Sequence, residues 1–536
     1  MAEEDPSVVR RPTGITATWK GIDLYPASDP VEYARRKARV FSCLPRTLVF
    51  VPSVGLGYGL EELLAQLPAG VSVLCVEVHQ EVLALAMSQG LPRDPRLLIL
   101  RADSEELVAR ALREMGEWRF RRLVEIPLSA GYRLASDVYA RMRKALEEQI
   151  RQYWRNRLTL IALGSLQVRN ILSNLTLFPR AGDFAALSTS LPVVVAGAGP
   201  SLEDVLPTLR AIRADVVLVA VDTALPRLLA ESLCPDVAVA LEAQTANLRD
   251  FLPPPSKTLL ACELSSLPSA ARLFDSRVCF FSSEFAPLRL FSRMAGAHIL
   301  PCPFPALGSV GVAAVNAALR LTTAEVYLAG LDFSYPRSLT HARGTPYHLS
   351  ALSQATRVIP PDVPFFRAVS ARRRVQTEDK TGQKIFSDTV LLSYRDGLGK
   401  VIGPAGSRVW DVSPSGLDLG APRIAQKGLI ARVRGARNRG VPLARATGAI
   451  CSAETARAFI QAERDVLLRG SGLLRSAIQS GAPSPECAAF VEESDYTWVH
   501  FPDAHAEEPR DKGFLARVNA ASLYYAERLG RLESLL

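Results

Sequence analysis

Residues 191–209 read LPVVVAGAGPSLEDVLPTL, and this stretch decides the fold. An apolar run of strand length meets a turn built from Gly197, Gly199, Pro200 and Ser201, and a helical pattern follows at once. Strand, glycine turn and helix in that order form a βα unit, in which the small residues let the chain turn tightly. The pattern continues through DVVLVAVDTAL (215–225), the helical PRLLAESL (226–233) and PDVAVALEAQ (235–244). Together these form a βαβαβ half of a doubly wound sheet. Ligands of open α/β sheets sit at the carboxyl ends of the strands, so Asp222 and Glu242 are candidate contacts. Further strands are expected in KTLLACEL (257–264), RVCFFSSE (277–284), AHILPCP (297–303) and AEVYLAGLDFSY (324–335), the last ending on Gly330, Leu331 and Asp332. GSVGVAAVNAALRL (308–321) reads as a helix opened by glycine and Ser309.

A second unit of the same kind lies upstream and begins near Trp19. The helix-compatible VEYARRKARVFSCL (31–44) precedes strand TLVFVPSV (47–54), a turn with Gly55, Gly57 and Gly59, and helix residues ending at Leu67. Strand VSVLCVEV (71–78) places Glu77 at its end, where an acid can accept ribose hydroxyls; helix EVLALAMSQ (81–89) and strand LLILRAD (97–103) complete the unit. Tyr139, Met142, Leu146 and Ile150 are spaced by three and four and predict a connecting helix. The chain therefore divides into an N-terminal Rossmann-like domain (1–135), a helical connector (136–185), a central α/β domain (186–423) and a helical C-terminal region (424–536) that offers an oligomerisation surface.

With 536 residues, 48% apolar and 22% charged, the composition is that of a folded globular chain. The 63 basic against 54 acidic residues leave a net charge of +9. The arginine-rich ARRRV (Arg372, Arg373, Arg374) and the series Arg432, Arg434, Arg437, Arg439 and Arg445 lack interleaved aromatics, so they read as solvated or protein-facing rather than as a nucleic-acid surface. The eight cysteines stand singly, without the spacing of a zinc site or a disulfide framework. No membrane-spanning run and no signal-peptide pattern is read, so a cytoplasmic protein is expected.

The constellation from 193 to 244, together with GLGYGLEELL and VLCVEV upstream, resembles the motility-associated factor (Maf) flagellin glycosyltransferases. Their nucleotide-binding domain is similar to sialyltransferases that use CMP-activated nonulosonic acids, and to 6-hydroxymethylpterin diphosphokinase-like proteins. The resemblance runs from about residue 20 to 420. It implies a nucleotide loop of Gly197, Gly199, Pro200 and Ser201, whose amides and hydroxyl would point at an anion. By itself, Ser201 before LEDVL also reads as an N-cap with Asp204 at capping-box spacing. Asp222 stands where the sialyltransferases have a nucleotide-contacting asparagine. Ser309 and Gly311 match the helix start beside the phosphate or cytidine, and Gly330, Leu331 and Asp332 the strand end that holds ribose or cytosine. Tyr335 is the nearest phenol to the expected phosphate-facing tyrosine.

The implied reaction is transfer of a nonulosonic acid from CMP to flagellin serine or threonine hydroxyls, with a general base. His341 in SLTHARGTPYH (338–348) is the expected base because an ordinary imidazole titrates near neutral pH, with His348 as second choice and Arg343 as the anion clamp. The donor carries one phosphate and no paired-aspartate metal motif is seen, so the reaction is expected to need neither metal nor a tightly bound cofactor. An ATP- and magnesium-dependent diphosphokinase and a non-catalytic flagellin-binding factor are the alternatives. The segment VIPPDVPFFRAV (358–369) and residues 372–388 read as a mobile cover over the site.

Overall fold

The computed structural model describes residues 6–12, 14–283, 288–360, 362–438, 440–444, 448–504 and 511–536, so Arg439 and Arg445 lie outside the described residues. The chain forms two compact units, Met1–Leu160 and Ile161–Leu536; the 39-residue helix Ser136–Asn174 contributes its first part to one and its last part to the other.

The first unit opens earlier than the sequence pattern suggests. Strands β1 (Ser7–Arg11), β2 (Gly14–Trp19) and β3 (Ile22–Asp23) make an antiparallel meander ahead of the α/β sheet. That sheet contains β4 (Thr47–Pro52), β5 (Ser72–Glu77), β6 (Leu97–Arg101) and β7 (Arg122–Glu125), all parallel, in the order β6-β5-β4-β7. Every residue of β4 and β5 is buried, which is why both carry apolar centres, Leu48–Val51 and Val73–Val76, without polar alternation. Strand β7 is an edge strand of four residues whose two arms are charged, too short to carry a pattern.

The second unit holds a nine-stranded parallel sheet. Its strands are β8 (Gly182–Asp183), β9 (Val193–Ala196), β10 (Val217–Val221), β11 (Val237–Ala240), β12 (Leu259–Glu263), β13 (Val278–Ser283), β14 (Pro303–Phe304), β15 (Val326–Ala329) and, after a separate hairpin of β16 (Arg374–Glu378) and β17 (Lys384–Asp388), β18 (Val409–Asp411). The order is β14-β13-β12-β11-β10-β9-β15-β18, with β8 joined to β13. The chain therefore winds outward from β9 to β14 and then returns to the other side of β9 as β15. The order reverses between β9 and β15, and the crevice at such a reversal is where doubly wound sheets bind ligands. In AHILPCP only Pro303 pairs, because two prolines within three residues remove the donors a longer strand needs.

Both faces of this sheet are covered by amphipathic helices. Leu202–Ile212 and Val310–Leu321 bury Val205, Leu206, Leu209, Val312 and Val315 against Val193–Ala196 and Val217–Val221, each fully buried valine or leucine contributing about 1.5–3 kcal/mol. The helix Gln426–Val433 joins this same core through Leu429 and Val433, and Gln426 accepts from Thr208 Oγ1 at 2.6 Å, so the chain beyond residue 424 is still part of the central packing. Further on, the helices Ala453–Ser480 and Lys512–Glu533 pack together, with Arg293 Nε donating to the buried Glu463 at 2.5 Å.

Candidate functional site at the reversal of strand order

The turns that follow β9 and β15 cross backbone to backbone. Gly197 N donates to Ala329 O at 2.7 Å and Gly199 N to Gly330 O at 2.8 Å. A Cβ on Gly199 would lie 2.6 Å from Asp332 Oδ2 and 2.7 Å from Gly330 O, and Gly330 adopts φ +68°. Glycine is required here because two main chains touch.

Asp332 completes the crossing. Ser201 N donates to its Oδ2 at 2.8 Å and the Ser201 hydroxyl donates to Oδ1. Ser201 is itself helical (φ −68°, ψ −12°) and makes no side-chain cap, so the expected capping box is replaced by a bond to a carboxylate 131 residues away. The expected anion cradle is corrected with it. The amides of Gly197, Gly199, Ser201, Leu202 and Glu203 all donate to protein acceptors, and Pro200 has no N–H. Gly-Ala-Gly-Pro-Ser and Gly-Leu-Asp thus clasp each other. The Asp332 carboxylate is likewise spent on Ser201 rather than facing a ribose. Burial pushes Asp332 up to about 6, against the lowering effect of the Ser201 bonds and of Lys380.

Under the clasp lies a buried ion pair. Lys380, at the tip of the β16–β17 hairpin, donates to Asp411 at the end of β18, and the two side chains are 1% and 2% exposed. Asp411 Oδ1 accepts from Ser413 N at 3.0 Å, and Ser413 Oγ accepts from Gly330 N at 2.9 Å. None of these three residues stands out in the sequence, since Glu-Asp-Lys-Thr-Gly-Gln reads as a solvated turn.

Next to the clasp, at the end of β10, Asp222 is buried and only half satisfied. Its Oδ1 accepts from Thr223 N at 2.7 Å and from Thr223 Oγ1 at 3.2 Å, while Oδ2 has no hydrogen-bond partner. Burial, then Asp250 and Glu242, push its carboxyl up to about 7; burial also lifts Asp250 to about 6. Glu242 remains exposed. Ser309 caps the helix Val310–Leu321 by accepting from Gly311 N at 3.2 Å, and a Cβ on Gly311 would lie 2.8 Å from Leu331 Cδ2.

The remaining predicted residues sit in the chain that follows β15. The Tyr335 hydroxyl donates to Asp388, which also takes Arg372 Nη1 at 3.1 Å and the amides of Val390 and Leu391 at 2.8 Å. Burial opposes ionisation of Asp388, but these donors outweigh it and hold its carboxyl below the ordinary value. His341 is half-buried against Tyr347, ring centroids 4.9 Å apart. Burial, with Arg372 and Arg249 adding to it, pulls its imidazole down to about 4, so the ordinary histidine value expected from sequence does not apply. Arg343 pairs with Glu203 at 2.8 Å on the surface. His348 is buried, accepts from Gly344 N at 3.2 Å and stacks on Phe365 at 5.3 Å. The segment expected as a loose cover is instead a helix, Asp362–Ser370, and the β16–β17 hairpin, fastened by Phe365 and Lys380. In the arginine series, Arg432 pairs with Glu325 at 2.7 Å and covers the Trp410 ring.

The glycine turn of the first unit is filled by the protein itself. Glu77 accepts from Ser53 Oγ, from the amides of Val54, Val78 and His79, and from the Tyr139 hydroxyl, at 2.7–3.1 Å. A Cβ on Gly55 would lie 2.6 Å from Ser129 Cβ, and Tyr25 Oη accepts from Leu56 N at 3.1 Å. Glu77, which could have accepted ribose hydroxyls, is fully used in holding its own turn. In the second unit, Asn170 and Asn174 of the long helix donate to the carbonyls of Ala243, Ser265, Leu264 and Ser266 at 2.8–3.0 Å, tying the helix to the ends of β11 and β12.

A parallel sheet wound both ways from β9, with paired glycine turns at its point of reversal, defines a doubly wound α/β protein. Residues 167–338 match the family described as 6-hydroxymethylpterin diphosphokinase MptE-like. Along 99% of its length the chain superposes on 89% of the MAf glycosyltransferase from Magnetospirillum magneticum AMB-1, with a TM-score of 0.56 and 18% identity. An uncharacterized protein of Treponema pallidum (strain Nichols) is 26% identical, the alignment covering 99% of this chain and 96% of that protein. The likeness expected from sequence is thus found, as a Maf-type fold along the chain and an MptE-like match over its centre. Among the described residues no helix is long and apolar enough to cross a membrane, and no group of three or more His, Cys, Asp or Glu side chains is arranged to hold a metal ion.

Proposed function

We propose that this chain is a glycosyltransferase that moves a nonulosonic acid of the pseudaminic, legionaminic or sialic type from its CMP donor to serine or threonine hydroxyls of flagellin in the cytoplasm, without a metal. The observation that carries the reading is the MAf glycosyltransferase fold along nearly the whole chain, with its two glycine turns meeting at the sheet's point of reversal. The open acceptor at that edge is Asp222 Oδ2, suited to a hydroxyl or amino group of the nucleoside. Arg249 and Arg372 are the cations acting on His341, and they suit the donor's carboxylate.

In the transfer, the bond from the anomeric carbon to the phosphate oxygen breaks and CMP leaves with the electron pair. The acceptor oxygen forms the new bond, and its proton passes to the His341 imidazole, which is neutral and so free to accept it. A donor carboxylate beside Arg249 and Arg372 offsets their share of the lowering and raises the proton affinity of His341, while burial, the larger cause, still acts. Tyr335 is held by Asp388, and the exposed guanidinium of Arg343, held by the half-buried Glu203, is presented for the donor phosphate.

Calorimetric titration with CMP and with ATP, each with and without magnesium, tests the reading. Metal-independent CMP binding that is lost in Asp222→Ala is the expected result. The family description favours one alternative, a diphosphokinase, and magnesium-dependent ATP binding in place of CMP binding would establish it.

A further inference from the structure

Two carboxylates, Asp332 and Asp411, lie buried at the ends of the neighbouring strands β15 and β18, and one ammonium, Lys380, is buried with them. The charged groups facing Asp332 are Lys380, which favours its ionised form, and Asp411, which opposes it. Asp411 in turn faces Lys380 and, from the surface, Arg423. Asp332 also meets Ser201 from the turn after β9. From the chain after β18, Leu417 N donates to its carbonyl at 2.9 Å. Lys380 N also donates to Gly416 O at 3.0 Å, and a Cβ on Gly416 would lie 2.8 Å from Asp332 Cα, so the hairpin tip and both carboxylates share one dry region, where two like charges need a counter-ion.

We propose that Lys380 is a positioning residue: carried in on the hairpin tip, it is the counter-ion that lets Asp332 and Asp411 ionise together, and it thereby keeps the Ser201 turn clasped beside the ligand-binding edge. The β16–β17 hairpin is thus a structural partner of the glycine turns, and its seating and the shape of the turn are one equilibrium. The link to donor binding rests on the glycosyltransferase reading; the clasp itself does not.

The sign of the pH effect follows from charge. Without Lys380, one of the two carboxyls holds its proton to higher pH than in the unfolded chain. The stability that this protonated form preserves is lost as the pH rises through the raised value. Hydrogen exchange of the full chain, corrected for intrinsic rates, is measured between pH 6 and pH 9 for residues 197–206 and 326–334. In Lys380→Met, protection of both segments is expected to fall by at least tenfold relative to the parent at pH 8, with little difference at pH 6. In the double variant Lys380→Met with Asp411→Asn the charge balance is restored, and Asn Oδ1 can still accept from Ser413, so protection returns to within about threefold of the parent. Unchanged protection in Lys380→Met at every pH would overturn the proposal. So would a double variant as loose as the single one, or one that fails to fold. Should the single variant not fold, the double variant decides alone, and native protection in it supports the proposal.

CMP titration of the same proteins separates this proposal from the functional reading. If the parent binds CMP, Lys380→Met is expected to weaken binding at least tenfold at pH 8 and much less at pH 6, and equal affinity at both would overturn the positioning role. If the parent does not bind CMP, the donor reading fails while the exchange experiment still judges the clasp.

Discussion

Replacing Ser201 by alanine isolates the side-chain half of the clasp. The residue is 1% exposed and its partner Asp332 is 2% exposed, so water cannot take the place of the lost hydroxyl. Asp332 keeps the Ser201 amide at 2.8 Å and the influence of Lys380, and loses one charge-assisted donor. A hydrogen bond to a charged group contributes about 1.5–3 kcal/mol and one between neutral groups about 0.5–1.5 kcal/mol. The Asp332 carboxyl sits near 6, above its ordinary 3.8, so burial already makes its ionised form costly and stability from this group falls as pH rises through that range. Removing a donor that favours ionisation raises the value further, and the loss therefore grows with pH. We expect Ser201→Ala to cost about 1 kcal/mol at pH 5 and about 2–3 kcal/mol at pH 8. Urea titrations at both pH values, read by pulse proteolysis of the β9–β15 segment, measure the two numbers. A cost that is the same at both pH values, or below about 0.5 kcal/mol at pH 8, would refute the ionised Ser201–Asp332 clasp.

Four further outcomes follow from the same geometry. Gly199→Ala places a methyl 2.6 Å from Asp332 Oδ2 and 2.7 Å from a backbone carbonyl, and should cost about 1–3 kcal/mol or more in the urea midpoint of the second unit. Asp222→Asn removes a buried acid whose value is raised to about 7, so it should stabilise the chain by about 1–4 kcal/mol at pH 8 and by less than half as much at pH 5, while weakening CMP binding at least tenfold; calorimetry and urea titration read the two effects. The His341 imidazole should move up from about 4 by one unit or more when a CMP-nonulosonate carboxylate sits by Arg249 and Arg372, visible as a shift in its ring-proton NMR titration. Glu77→Ala strips five donors of one acceptor in the first unit and should lower that unit's melting temperature by several degrees, leaving CMP affinity unchanged in calorimetry.

Much of this architecture is legible because it is written locally. The buried strands β4, β5, β9 and β10 carry continuous apolar centres, and the glycines after β9 and β15 mark close backbone approach wherever they occur. The two glycine motifs meet at the reversal of strand order, and their close approach is what requires glycine. Their chemistry was read differently because donors and acceptors 131 residues apart carry no mark of each other: nothing in Gly-Pro-Ser says that its amide and hydroxyl already have an acceptor in Asp332. Lys380 escaped for the same reason, since a lysine in a turn is solvated by default and only the tertiary fold buries it against Asp411. The helix Asp362–Ser370 was hidden by its prolines, although Pro364 lies within the first turn, where a missing N–H costs nothing.

The strand-end acids of the second unit differ in how far their oxygens are satisfied. Glu263 at the end of β12 accepts from the amides and hydroxyls of Ser265 and Ser283, Asp332 accepts from Ser201, and Asp411 accepts from Lys380 and Ser413. Each is a carboxylate whose donors come from the turn it organises, and replacing any of them loosens a loop. Asp222 differs: its neighbour Thr223 satisfies one oxygen, and the other remains buried without a donor. An unpaired buried acceptor costs about 1–3 kcal/mol, a cost that a fold built only for stability has no reason to keep when asparagine or serine would avoid the charge. On the proposed function, this least satisfied strand end is where a bound nucleoside would supply the missing donor, one strand away from the turn that Asp332 closes.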